Sequence, residues 1–160
     1  MLKPGLEKLF RDYADSHQHP TNQLTHKIAM PLIVFHVLVM LDWVKLFTVP
    51  GTAVQISLAY LFYAGAVAWY LTQDVKLGMI LAVLCLPCIP LGWYLPKLAV
   101  VAIAGVAWAI QLAGHALWEK KSPAFLTNLL QALVGPLFFV ALLTGTWSPK
   151  APQVAAPRAA

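Results

Sequence analysis

Five apolar runs, near residues 28–47, 53–71, 77–95, 98–118 and 125–143, follow one another with only short polar breaks. Each approaches the ~20 residues that an α-helix needs to cross a bilayer. A membrane leaves few alternatives, because every backbone polar group must be satisfied within the segment. The breaks "TVPGT", "TQDVK", "LPK" and "EKKSP" carry turn residues. Hydrophobic residues make up 60% of the 160 and charged ones 11%, whereas a soluble domain averages about 25% charged. The expected fold is all-α: a polytopic transmembrane helical bundle of about five spans. One integral membrane domain over 1–147 is expected, followed by a disordered Pro/Ala-rich tail at 148–160.

Before the first run, residues 5–19 read as an amphipathic helix. Leu6, Leu9, Phe10, Tyr13 and His17 make one stripe, and Glu7, Lys8, Arg11, Asp12 and Asp15 take the other faces. Pro20 interrupts this helix, and Thr21 or Asn22 can cap the next. The first 27 residues lack the apolar core of a cleavable signal peptide. With five spans, Lys3, Lys8, Arg11, Lys27, Lys76, Lys120 and Lys121 fall on one side, and Lys45, Lys97, Lys150 and Arg158 on the other. That asymmetry places the N-terminus in the cytoplasm. The net charge of +5 is scattered and accompanies no nucleic-acid motif. It reads as orientation and attraction to membrane lipids, with no nucleic-acid partner. The short chain without a retrieval signal reads as a bacterial inner-membrane protein, or an endoplasmic-reticulum one if eukaryotic. Cys85 and Cys88 stand in an apolar, proline-broken run and read as packing residues.

Three of five histidines, His17, His19 and His26, crowd the stretch before the first span. Gln111, His115 and Glu119 are spaced by four at the end of the fourth run and share one helix face. The expected topology brings both segments to the same membrane face. Ionisable groups there are costly and are usually functional. Imidazoles with a carboxylate suit a divalent transition metal, with iron and zinc leading where no thiolate is near. His17, His26 and His115 are the expected ligands, and His19 or Glu119 the fourth contact. Asn22 and Gln111 are expected to orient the imidazoles, with Tyr13 supporting them. His36 lies about 15 Å deeper at helical rise and reads as a packed core histidine.

At these residues the chain resembles the membrane 2-hydroxy fatty acid dioxygenases. Tyr13, His17, Asn22, His26 and Pro31 match one motif of that family. Gln111, Gly114, His115, Glu119, Pro123 and Ala124 match the other. The resemblance covers most of residues 10–140. It implies an Fe(II)-dependent enzyme that uses O2 as co-substrate on a long-chain 2-hydroxy fatty acid, releasing CO2 and an acid one carbon shorter. Tyr13, Asn22, Gln111 and Glu119 would serve as catalytic support. Lys27, Lys120, Lys121 or Arg11 could steer the carboxylate. A zinc-dependent lipid hydrolase with Glu119 as base, and a non-catalytic lipid-binding scaffold, are the rival readings.

Overall fold

The computed structural model describes residues 2–120 and 128–148. Helix α1 (Pro4–Asp15) opens on proline, whose missing N–H costs nothing at that position. Leu6, Phe10 and Tyr13 are buried along it, while Lys8, Arg11, Asp12 and Asp15 are exposed. The helix ends before the expected residue 19. The N–H groups of Ser16 and His17 donate to the carbonyls of Tyr13 and Ala14, which tightens the chain and ends the turn. His17 lies beyond the helix yet stays buried. The cap of α2 (Pro20–Asp42) is neither Thr21 nor Asn22: His19 Nδ1 accepts the Thr21 N–H at 3.2 Å.

Helix α2 stops at Asp42, short of the apolar run's end. There follows an antiparallel hairpin, β1 (Lys45–Thr48) and β2 (Gln55–Ser57), paired Phe47 to Ile56 and Thr48 to Gln55. This hairpin replaces the helical ends expected at 43–47 and 53–57. Its segment is rich in β-branched residues, and Gly51 at φ +76° makes its turn. The buried Asp42 carboxylate closes it, accepting from Ser57 Oγ at 2.6 Å, Lys45 Nζ at 2.8 Å and Trp93 Nε1 at 2.9 Å.

Helices α3 (Leu58–Gln73), α4 (Val75–Cys85), α5 (Cys88–Gly92) and α6 (Lys97–Gly114) follow. Asp74 caps α4 through the Leu77 N–H, and the chain is interrupted at Leu86–Pro87, in the proline-broken run. A π-helical turn, His115–Glu119, extends α6 and ends at Lys120 in the left-handed region. Helix α7 (Leu130–Leu143) completes the described chain. Three stretches are long and apolar enough to cross a membrane: Pro20–Asp42, Val75–Gly92 and Lys97–Glu119. At 16 and 14 residues, α3 and α7 fall short of that length. The tail at 149–160, Lys121, Pro123 and Ala124 lie outside the described residues.

The main core joins α1, α3, α4 and α7 through Phe10, Tyr13, Tyr70, Leu77 and Phe138, among others. Outside it, Leu61, Phe62, Met79, Val83 and Val101 are exposed. An outward apolar surface suits lipid contact. Helix α2 packs along α6, and one glycine sets how closely. A Cβ on Gly114 would drive into Asn22 Oδ1 and Thr25 Oγ1. His36 is buried, donating from Nδ1 to the Leu32 carbonyl and accepting from Trp108 Nε1 at 3.2 Å.

Candidate metal centre

The start of α2 and the end of α6 lie side by side, because the two helices run in opposite directions. Helix α1 delivers His17 to the same place. His17, His26 and His115 are 6%, 7% and 2% exposed, and a ligating nitrogen of each lies within 4.8 Å of the others. His17 Nε2 is 3.0 Å from His26 Nε2, which is 3.1 Å from His115 Nε2.

The outer nitrogens decide what those inner ones can do. His17 Nδ1 lies 2.6 Å from the Tyr13 carbonyl, and His26 Nδ1 lies 2.8 Å from the Asn22 carbonyl. A carbonyl only accepts, so each Nδ1 carries the proton and each neutral ring leaves a lone pair on Nε2. Two lone pairs 3.0 Å apart cannot hydrogen-bond. They repel unless an electrophile sits between them. A divalent cation bound by Nε2 atoms, with the other ring nitrogens held by carbonyls, resolves this conflict. The residues therefore fit a metal. Burial holds the His17 ring down to about 4, so it is neutral, as a ligand must be, at pH 7.

The surrounding residues divide by what they touch. The Tyr13 ring stacks on His17, centroids 4.1 Å apart and 16° from parallel, and burial pushes its phenol well above the usual value. Gln111 places its amide nitrogen 2.5 Å from His26 Nε2 and leaves Oε1 buried with no partner among the described residues. His115 Nδ1 is likewise unpartnered among them. Asn22 is fully buried and donates from Nδ2 to Glu119 Oε1 at 3.1 Å, while the His19 backbone N–H donates to the same oxygen at 2.8 Å. Glu119 thus ties the π-helical turn to the α1–α2 corner. The exposed His19 ring has its Nδ1 engaged by Thr21. The structure brings together His17, His26 and His115, rims them with Tyr13, Gln111 and Asn22, and sets His19 and Glu119 on the clasp beside them.

Two residues were not anticipated. Gln131, on α7, is buried with Oε1 unpartnered among the described residues and lines a cavity of about 60 Å³ beside His17, His115 and Gln111. Its signal was an amide inside an otherwise apolar run. Gly135 lets α7 close on the site, since a Cβ there would press on Met30 and the Tyr13 hydroxyl.

Fold and site together define a mostly helical protein with apolar helices of membrane-spanning length and a buried three-histidine cluster able to hold a metal ion. The sequence profile of the Mpo1-like family, described as 2-hydroxy-palmitic acid dioxygenase Mpo1-like, matches residues 5–147, and the chain belongs to that family. It is 33% identical over 129 residues to 2-hydroxy-palmitic acid dioxygenase MPO1 of Saccharomyces cerevisiae, covering 80% of this chain and 72% of the yeast protein. No solved structure matches.

Proposed function

We propose that this protein is an Fe(II)-dependent membrane dioxygenase that shortens 2-hydroxy fatty acids by one carbon. The observation that carries the reading is the pair of forced lone pairs on His17 and His26 beside His115. The name of the yeast relative supports the oxidation of a 2-hydroxy acid.

In the reaction the C1–C2 bond of the acid breaks. C1 leaves as CO2, C2 becomes the new carboxyl carbon, and O2 is the four-electron oxidant, with one water formed. Bound there, iron would supply Lewis-acid and redox chemistry toward O2 and the 2-hydroxy acid. His17, His26 and His115 would hold it. The Tyr13 and Asn22 carbonyls fix the tautomers of two of these rings. Gln111 offers an amide at the His26 edge of the site, and its free Oε1 can orient a donor on the substrate. Burial of the three rings limits the contact of their own nitrogens with bulk water. The metal site and N-terminus would face the cytoplasm.

The test is anaerobic purification with metal quantification, then incubation with 2-hydroxypalmitate and O2. One iron per chain and O2-dependent release of CO2 and the shortened acid are expected. Stoichiometric zinc with O2-independent lipid hydrolysis would establish the hydrolase instead, and absence of metal and turnover would leave the scaffold.

A further inference from the structure

A groove of about 520 Å³ runs between α1, α2 and α7 and reaches His17 and His26. Its volume is that of a typical small-molecule site, about 300–1,000 Å³. Its walls are helical stripes. Helix α2 contributes Gln23, His26, Lys27 and Met30, and α7 contributes Gly135, Phe138, Phe139 and Leu142. Both sets follow the i, i+3, i+4, i+7 spacing of a single helix face. The α2 stripe passes from polar to apolar in two turns, and the α7 stripe is apolar throughout. The cavity of about 60 Å³ on the other side of His17 is too small for a long chain.

Lys27 distinguishes this groove. Of the four basic residues that could meet a carboxylate, Arg11 is paired with Glu7 at 2.5 Å, Lys120 does not line the groove, and Lys121 lies outside the described residues. Lys27 lines it beside His26 and has no hydrogen-bond or ion-pair partner among the described residues. Lys27 is exposed along the groove wall, so its ammonium is free to meet an anion that enters there. Asp15 also lines the groove and disfavours ligands of higher negative charge.

We infer that this groove is the acyl-chain site, with Lys27 pairing with the carboxylate of a long-chain monocarboxylic acid and the chain lying along Met30, Phe138, Phe139 and Leu142. This rests on the reading of the protein as a fatty acid oxygenase.

The test is photolabelling of the purified full chain, without turnover, by a palmitic acid carrying a diazirine at its terminal carbon, with the matching alcohol as control. Labelled peptides are mapped by mass spectrometry. The expected result is acid-selective label on Met30, Phe139, Leu142 or Leu143, reduced about tenfold in Lys27→Gln and restored in Lys27→Arg. In turnover, Lys27→Gln should raise KM about tenfold for 2-hydroxypalmitate with kcat and metal content retained. Label spread over lipid-facing helices, equal for acid and alcohol and unchanged in Lys27→Gln, would overturn the inference. Groove labelling without O2-dependent chain shortening would instead sink the proposed activity and leave the groove standing. Turnover without groove labelling would do the reverse.

Discussion

His17 and His26 face each other through Nε2 atoms 3.0 Å apart, and each has its Nδ1 proton committed to a backbone carbonyl one helical turn back. The two Nε2 lone pairs repel each other, and a cation between them would relieve that repulsion. A ligand that binds only the folded state stabilises it by about 2.7 kcal/mol at a hundredfold excess over Kd. Fe(II) should raise the Tm of the wild-type protein under anaerobic conditions. His17→Ala, His26→Ala and His115→Ala should each abolish that rise. A full rise in all three would show that the cluster is not the metal site.

Gly114 sets the distance between the helices that carry His26 and His115. Gly114→Ala would press a methyl group into Asn22 Oδ1 and Thr25 Oγ1. Overpacking of this kind costs about 1–3 kcal/mol, and α6 must back away from α2 to relieve it. Metal content should fall even though no ligand is changed. Gly105→Ala, where nothing lies within 4 Å of the new Cβ, should leave both Tm and metal content near wild type.

Much of this was legible in the chain, and the exceptions have physical causes. The stripe Leu6, Phe10 and Tyr13 is helical periodicity; His17 reads as its continuation, yet α1 ends at Asp15 and His17 reaches the interior from the turn that follows. Pairing His26 with His115, 89 residues away, needed only that the start of the first apolar run and the end of the fourth lie at one end of the bundle. The hairpin after Asp42 was hidden, because Val44, Leu46, Phe47 and Val54 prolong the apolar runs whether helical or extended. What marks it is three donors converging on one buried carboxylate, a tertiary event. The outer contacts of His19 and Glu119 were equally invisible. Spacing put Glu119 on the His115 face, but the π-helical turn and the Asn22 amide decide where its oxygens go.

Glu119 offers a direct distinction between ligand and clasp. Its Oε1 accepts from the His19 N–H and the Asn22 amide. Glu119→Gln keeps an oxygen for both and should retain metal and most activity. Glu119→Ala leaves both donors unpaired, at a cost of about 1–3 kcal/mol. It should lower Tm and activity together while still binding one metal per chain at low temperature. Loss of metal from Glu119→Gln would make the carboxylate a ligand.

Asp42 supplies a control at the far end of α2. Asp42→Ala would strand Ser57 Oγ, Trp93 Nε1 and Lys45 Nζ, costing about 1–3 kcal/mol. The hairpin should loosen, read as faster backbone hydrogen exchange at 45–57. Metal stoichiometry should not change, because no residue of the cluster touches this knot. A loss of metal would show that the two ends of α2 are coupled.

The pH dependence of the metal-free protein has a sign set by burial. The His17 ring is held at about 4 in the folded state against 6.5 for the exposed side chain. Between those values the unfolded chain binds a proton that the folded one refuses, so stability rises with pH across this window. The contribution of His17 is fully present above pH 6.5 and is lost as pH falls toward 4. Metal-free wild-type protein should therefore lose Tm between pH 7 and pH 4.5. His17→Gln keeps a side chain that hydrogen-bonds and cannot titrate, and should flatten part of that slope while having a lower Tm at pH 7. An unchanged slope in His17→Gln would place the acid sensitivity elsewhere in the protein.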